Sequence, residues 1–102
     1  MKRVLLARTA VALQVDAKHW EDAIRQAGQL LVENGNVESS YVAAMINNIH
    51  KLGPYILIAP NVVMPHARPE DGVKKEGISV VTLTEAIEFG PEQPFKVIIC
   101  LA

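Results

Sequence analysis

Met64-Pro65-His66-Ala67-Arg68-Pro69-Glu70-Asp71-Gly72 lies between two apolar runs, Tyr55 to Ala59 and Ile78 to Leu83. Pro65 fixes its own φ and pushes Met64 into an extended conformation; Pro69 does the same to Arg68. The stretch therefore reads as stiff extended backbone, neither helix nor flexible linker. In such backbone, residues i and i+2 point to the same side, so His66 and Arg68 can meet one anion together. Histidine can act as a nucleophile at neutral pH, and arginine offers a planar fork of donors for phosphate. Loop histidines beside prolines are also common as plain structure, so these nine residues alone leave the choice open.

Working upstream, Tyr55 to Ala59 reads as a strand, broken by Pro60-Asn61 and resumed over Val62-Val63-Met64. Before it, Val42, Met45, Ile46 and Ile49 form a helical stripe. Ser39 or Ser40 is a candidate cap for that helix, and Gly53-Pro54 is its stop. An earlier helix begins near Ala17, with Asp16 as cap, and places Trp20, Ala23, Ile24, Ala27 and Leu31 on one face. It ends at Asn34-Gly35. Gly28 within it marks a close packing contact, since glycine costs a helix about 1 kcal/mol against alanine. Ala10 to Val15 reads as a strand. Downstream, Gly72 to Gly77 is a polar turn region, Ile78 to Leu83 alternates like a strand, Phe89-Gly90-Pro91 marks a turn, and Phe95 to Leu101 is a buried-type strand. Strands and helices mixed along one chain give an α/β fold with a mixed β-sheet flanked by α-helices.

The chain has 102 residues, half of them hydrophobic, and a net charge of -1. That fits one domain over residues 1–102, with a single core. No basic patch calls for nucleic acid. Arg8 and Asp16 interrupt the N-terminal apolar run too early for a signal peptide, and no stretch is long and apolar enough to span a bilayer, so a cytoplasmic protein is expected. The lone Cys100 is read as a buried inert thiol.

His66 is open to four roles: phosphoryl acceptor, general base, metal ligand or ordinary loop residue. A metal site needs three or four convergent ligands, and His19 and His50 lie on different predicted helices with no H-x-x-x-H or C-x-x-C spacing. No serine sits in a nucleophile elbow. No glycine-rich phosphate loop occurs, so neither ATP nor a dinucleotide is expected as cofactor. Among the chemical roles, direct phosphorylation of His66 remains. It needs donors around the phosphoryl oxygens. The candidates are the Arg68 side chain and the backbone N–H groups of Ala67 and Arg68, with Lys74 and Lys75 as more distant ones. Glu70 and Asp71 would repel the group, so they are expected to cap the loop, pair with a lysine or face a partner. His50 and Lys51 occupy the last turn of their helix, where positive charge suits the dipole.

Gly53-Pro54-Tyr55, Ala59-Pro60-Asn61, Met64 to Val73 and Gly77-Ile78-Ser79 together resemble the IIA domain of the bacterial phosphotransferase system, mannitol–fructose type. The continuation His66-Ala67-Arg68-Pro69-Glu70-Asp71-Gly72-Val73 is most similar to the ascorbate-specific branch. The resemblance implies a phosphorelay: the carrier HPr donates to the IIA histidine, here His66, and IIA passes the group to a IIB domain whose membrane partner IIC delivers it to the sugar. It also implies phosphorylation on the ring nitrogen far from the backbone. Mannitol-type members carry an arginine late in the preceding helix, at the position of His50. The resemblance therefore makes His50 or Arg68 its substitute, unless the backbone alone stabilises the group. A regulatory IIA-like module, switched by the same phosphohistidine, is the alternative. Family members continue into further helices that supply a second active-site histidine. The expectation is thus that this chain lacks the C-terminal part of the domain, leaving a strand as apolar as Phe95 to Leu101 short of cover on one face.

Overall fold

The computed structural model describes residues 2–6, 9–52, 57–59, 61–88 and 94–102. Two helices pack on one face of a mixed six-stranded sheet. The strands are β1 (Lys2–Leu6), β2 (Thr9–Val15), β3 (Leu57–Ala59), β4 (Asn61–Val63), β5 (Ile78–Glu88) and β6 (Pro94–Leu101); the helices are α1 (Trp20–Glu33) and α2 (Ser39–Leu52). The strand order is β1-β2-β5-β6-β4-β3. Pairs β2/β5 and β4/β6 are parallel, and the other three are antiparallel.

Period-2 alternation decides which face is core. Ala10, Ala12, Ser79, Val81, Leu83, Ile98 and Cys100 point under the helices and are buried. The helices answer with Ala23, Ile24, Ala27, Leu31, Val42, Met45 and Ile49, the stripes expected from sequence, all buried. Ile46 is half-buried at the edge of its stripe. The opposite sheet face carries Val11, Val80, Val97 and Ile99, half-buried, with Leu13 and Ile78 exposed. No described helix covers it. β6 lies between β5 and β4, inside the sheet as its composition predicts.

Several local expectations change. Helix α1 starts at Trp20, and its cap is His19, whose Nδ1 accepts the Asp22 N–H at 3.3 Å. Asp16 lies too early to reach those orphan amides; its carbonyl accepts from Gln26 Nε2 instead. Ser39 and Ser40 are the first residues inside α2, and the Ser40 hydroxyl donates to the Asp71 carbonyl at 3.0 Å. β1 was not expected: Val4-Leu5-Leu6 is too short a run for periodicity to classify, and pairing with β2 makes it a strand. β5 runs past Leu83 to Glu88 because the partner strand continues, with Ile87 opposite Phe95 and Glu88 opposite Pro94. The expected Gly53-Pro54 stop, residues Tyr55 and Ile56, Pro60 and the Phe89-Gly90-Pro91 turn lie outside the described residues. Asn61 takes φ 75°, the left-handed region that asparagine tolerates.

Candidate active site

The His66 loop leaves the carboxyl end of β4, beside the parallel strand β6, where open α/β sheets generally place their ligands. Val63, paired with Ile98, is fully buried, and Pro65 is buried after it. His66 and Arg68 are both exposed, with half-buried Ala67 between them. The backbone is extended through Arg68, at φ -81° and ψ 149°.

His66 Nδ1 lies 2.9 Å from the Met64 carbonyl oxygen. A carbonyl only accepts, so Nδ1 carries the proton, and in the neutral ring the lone pair resides on Nε2.

The stiff segment ends in a turn of 3-10 helix over Pro69–Asp71, where no helix was expected. Pro69 stands at its first position, where a fixed φ suits a helix and a missing N–H costs nothing. The Asp71 carboxylate accepts the Arg68 N–H at 3.0 Å, and the Asp71 N–H returns to the Arg68 carbonyl at 2.9 Å. Asp71 thus caps the loop, one of its expected roles. Gly72 follows at φ 139°, and a Cβ there would stand 2.8 Å from the Ser40 hydroxyl oxygen. Glycine is needed for both the backbone and the space.

The segment joining α1 to α2, with the first turn of α2, holds this loop in place. Glu38 N–H donates to the Gly72 carbonyl at 2.8 Å. The Asn36 carbonyl accepts the N–H groups of Lys74 and Lys75, and its buried side-chain amide donates to the Glu76 carbonyl at 3.0 Å. Tyr41, buried at the start of α2, places its hydroxyl 3.2 Å from the Ala67 nitrogen and 2.6 Å from the Leu101 carbonyl oxygen. Sequence reasoning missed Tyr41 and Asn36. For the tyrosine a signal exists: Tyr41 adjoins an apolar helical stripe, and a buried tyrosine hydroxyl needs a partner.

The predicted site residues are brought together unequally. His66, Ala67 and Arg68 share the loop. The expectation that the Ala67 and Arg68 amides are open to a phosphoryl group is corrected: the first points to Tyr41 and the second to Asp71. The Arg68 guanidinium forms no ion pair among the described residues, so the alternative of a bridge to Glu70 or Asp71 is not formed. Lys74 lies 3.7 Å from Glu38 on the surface. His50 faces α1 instead: its Nε2 is 2.8 Å from Glu21 Oε2, and its ring centroid is 5.0 Å from that of Trp20. This contact holds the Glu21 carboxyl below the usual carboxylate range. Among the described residues, no hydrogen bond joins His50 to the His66 loop. His50 also borders a groove of about 440 Å³ between α1 and α2, which includes none of the loop residues.

Comparison with known proteins adds a second line of observation. Residues 4–102 match the family described as "Phosphoenolpyruvate-dependent sugar phosphotransferase system, EIIA 2". A protein of Salmonella typhi named "Ascorbate-specific PTS system EIIA component" is 41% identical over 100 residues, which is 96% of this chain and 65% of that protein. The chain thus spans just under two thirds of the length of the curated relatives it matches. The mannitol-specific cryptic phosphotransferase enzyme IIA CmtB of Escherichia coli superposes with a TM-score of 0.80 at 35% identity, over 88% of this chain and 62% of that one. The structure of Escherichia coli enzyme IIAMtl complexed with phosphorylated enzyme IIBMtl gives a TM-score of 0.81 at 32% identity, over 97% and 69%.

Proposed function

The chain belongs to the EIIA 2 family of phosphoenolpyruvate-dependent sugar phosphotransferase systems, and from that premise we propose that it is a cytoplasmic phosphocarrier with His66 as its acceptor. His66 Nε2 attacks the phosphorus of phospho-HPr, the bond from phosphorus to the donor breaks, and a phosphohistidine forms. The phosphoryl group then passes to a IIB domain and from there, through the membrane partner IIC, to the sugar. The observation that supports this reading most is the hydrogen bond from His66 Nδ1 to the Met64 carbonyl, which leaves the nucleophilic lone pair on Nε2.

Transfer of this kind is mostly positioning and charge stabilisation. Arg68 supplies the charge in our reading, because its fork is exposed next to His66 and its backbone is fixed by Asp71. The amide of Ala67 belongs to the loop's anchorage. His50 lies outside the mechanism, given its contacts to Glu21 and Trp20. The transfer proposed here calls on no metal or organic cofactor. The similarity to an ascorbate-specific component makes ascorbate the sugar we propose.

Incubation with phosphoenolpyruvate, enzyme I and HPr, followed by intact-mass measurement, tests the reading. One phosphoryl group is expected on the wild type and none on His66→Gln, which keeps the ring's approximate size without a nucleophile. No mass gain, or an equal gain in the variant, rejects it. Onward transfer to a cognate IIB separates a transport carrier from a regulatory module.

A further inference from the structure

We propose that Tyr41 is the positioning residue for His66, resting on the phosphocarrier reading above for its consequence but on geometry for its substance. Tyr41 is 2% exposed, so its hydroxyl has been taken out of water and must find its partners within the fold. Around it stand the Leu101 carbonyl at 2.6 Å, the Ala67 N–H at 3.2 Å and the Ala67 carbonyl at 3.3 Å. A phenol has one proton to give. The shortest contact takes it, so the hydroxyl donates to Leu101 and accepts from the Ala67 N–H. One side chain on α2 thereby ties the end of β6 to the residue that follows His66.

The consequence for the imidazole is direct. On the N-terminal side, Val63 is held in the sheet and Pro65 has a fixed φ. On the C-terminal side, Tyr41 holds the amide of Ala67. The His66 backbone is fixed at both ends, and its ring can then reach the Met64 carbonyl at 2.9 Å through Nδ1. Removing the hydroxyl frees the Ala67 amide and lets the 66–67 peptide turn. The Nδ1–H to Met64 bond loosens, and the ring gains access to the other tautomer, whose nucleophilic nitrogen faces the backbone. Tyr41 touches no reacting atom in this account; it acts through the loop.

The experiment compares wild type, Tyr41→Phe and Ser79→Ala. Ser79 donates to the Ala27 carbonyl at 2.8 Å in the core, so its loss removes a buried hydrogen bond that does not involve the loop. Ring-nitrogen NMR shifts of His66 in unphosphorylated protein report the tautomer, and phosphorylation rates are normalised to the folded fraction. We expect Tyr41→Phe to move the His66 shifts toward a tautomer mixture and to slow phosphorylation about tenfold or more, with the half-saturating HPr concentration unchanged. Ser79→Ala should leave both at wild-type values. Unchanged His66 shifts in Tyr41→Phe, or equal effects in both variants, overturn the proposal. If Tyr41→Phe does not fold, hydrogen exchange of the Ala67 amide in wild type decides: a retarded amide supports the anchorage and a rapidly exchanging one refutes it. A wild type that takes no phosphate rejects the phosphocarrier reading, while the ring shifts still judge Tyr41 on its own.

Discussion

Gly28 of α1 and Val42 of α2 approach so closely that a Cβ on the glycine would stand 2.7 Å from Val42 Cγ2 and 2.9 Å from Cγ1. Two effects oppose each other in Gly28→Ala. Helix propensity favours alanine by about 1 kcal/mol, while overpacking costs about 1–3 kcal/mol. Val42 is β-branched and stiff at χ1, so it cannot turn aside cheaply. We expect Gly28→Ala to destabilise by about 1 kcal/mol net. Val42→Ala should cost less in that background than in wild type. A double-mutant cycle by denaturant unfolding checks this, and strict additivity would contradict the contact.

Burial pushes the Cys100 thiol up to about 12 from an ordinary value of 9.0. The folded state therefore holds the proton more tightly than the unfolded state does. Its contribution is fully present below pH 9, and it is lost as pH rises toward 12. Between pH 8 and roughly 10.5, wild type should lose about 2 kcal/mol from this group. Cys100→Ala should lack that increment, although it is less stable at neutral pH for want of the packed sulfur 3.3 Å from Met45 Sδ. Denaturant midpoints across the range give the comparison; parallel wild-type and variant curves would exclude the effect.

Glu21 titrates below the usual carboxylate range, chiefly through its hydrogen bond with His50. A depressed carboxyl stabilises the fold above its unfolded pKa, and this support is lost as pH falls through the folded value. The pair is solvent-exposed, so its share of stability is small. The sharper observable is the titration itself. In His50→Ala, which removes the donor, the Glu21 midpoint, followed by carboxyl NMR, should rise toward the ordinary value, and an unmoved midpoint would show that His50 is not the cause. Phosphoryl acceptance at His66 should be unaffected by the same substitution.

Arg68 separates charge from shape. Arg68→Ala should slow phosphoryl acceptance by roughly a hundredfold, as loss of one aimed donor does elsewhere. Arg68→Lys keeps the charge but loses the fork, and its rate should fall between. Rapid-quench measurements with phospho-HPr provide the check. If the lysine variant equals wild type, the planar fork has no part in the chemistry.

Much of this molecule was readable from its sequence. The α1 and α2 stripes, the strand alternation and the apolar β6 follow from periodicity, which depends only on which residues must leave water. Pro65 and Pro69 announced a stiff loop that carries His66 and Arg68 two residues apart, because proline restricts the backbone locally. The tertiary structure decided what depends on who stands opposite. β1 exists because β2 offers it hydrogen bonds. Which of the roles open to Glu70 and Asp71 is taken was decided by the folded turn, which brings the Asp71 carboxylate to the Arg68 amide. His50 turned to Glu21 and Trp20 because its helix packs beside α1, a fact no spacing records. Ala67, read as an open donor, is held by Tyr41 across 26 residues of chain, and Leu101 lies 60 away from the same hydroxyl. Local propensity is written in neighbours along the chain; hydrogen-bond partners at such separations are fixed only when the core closes.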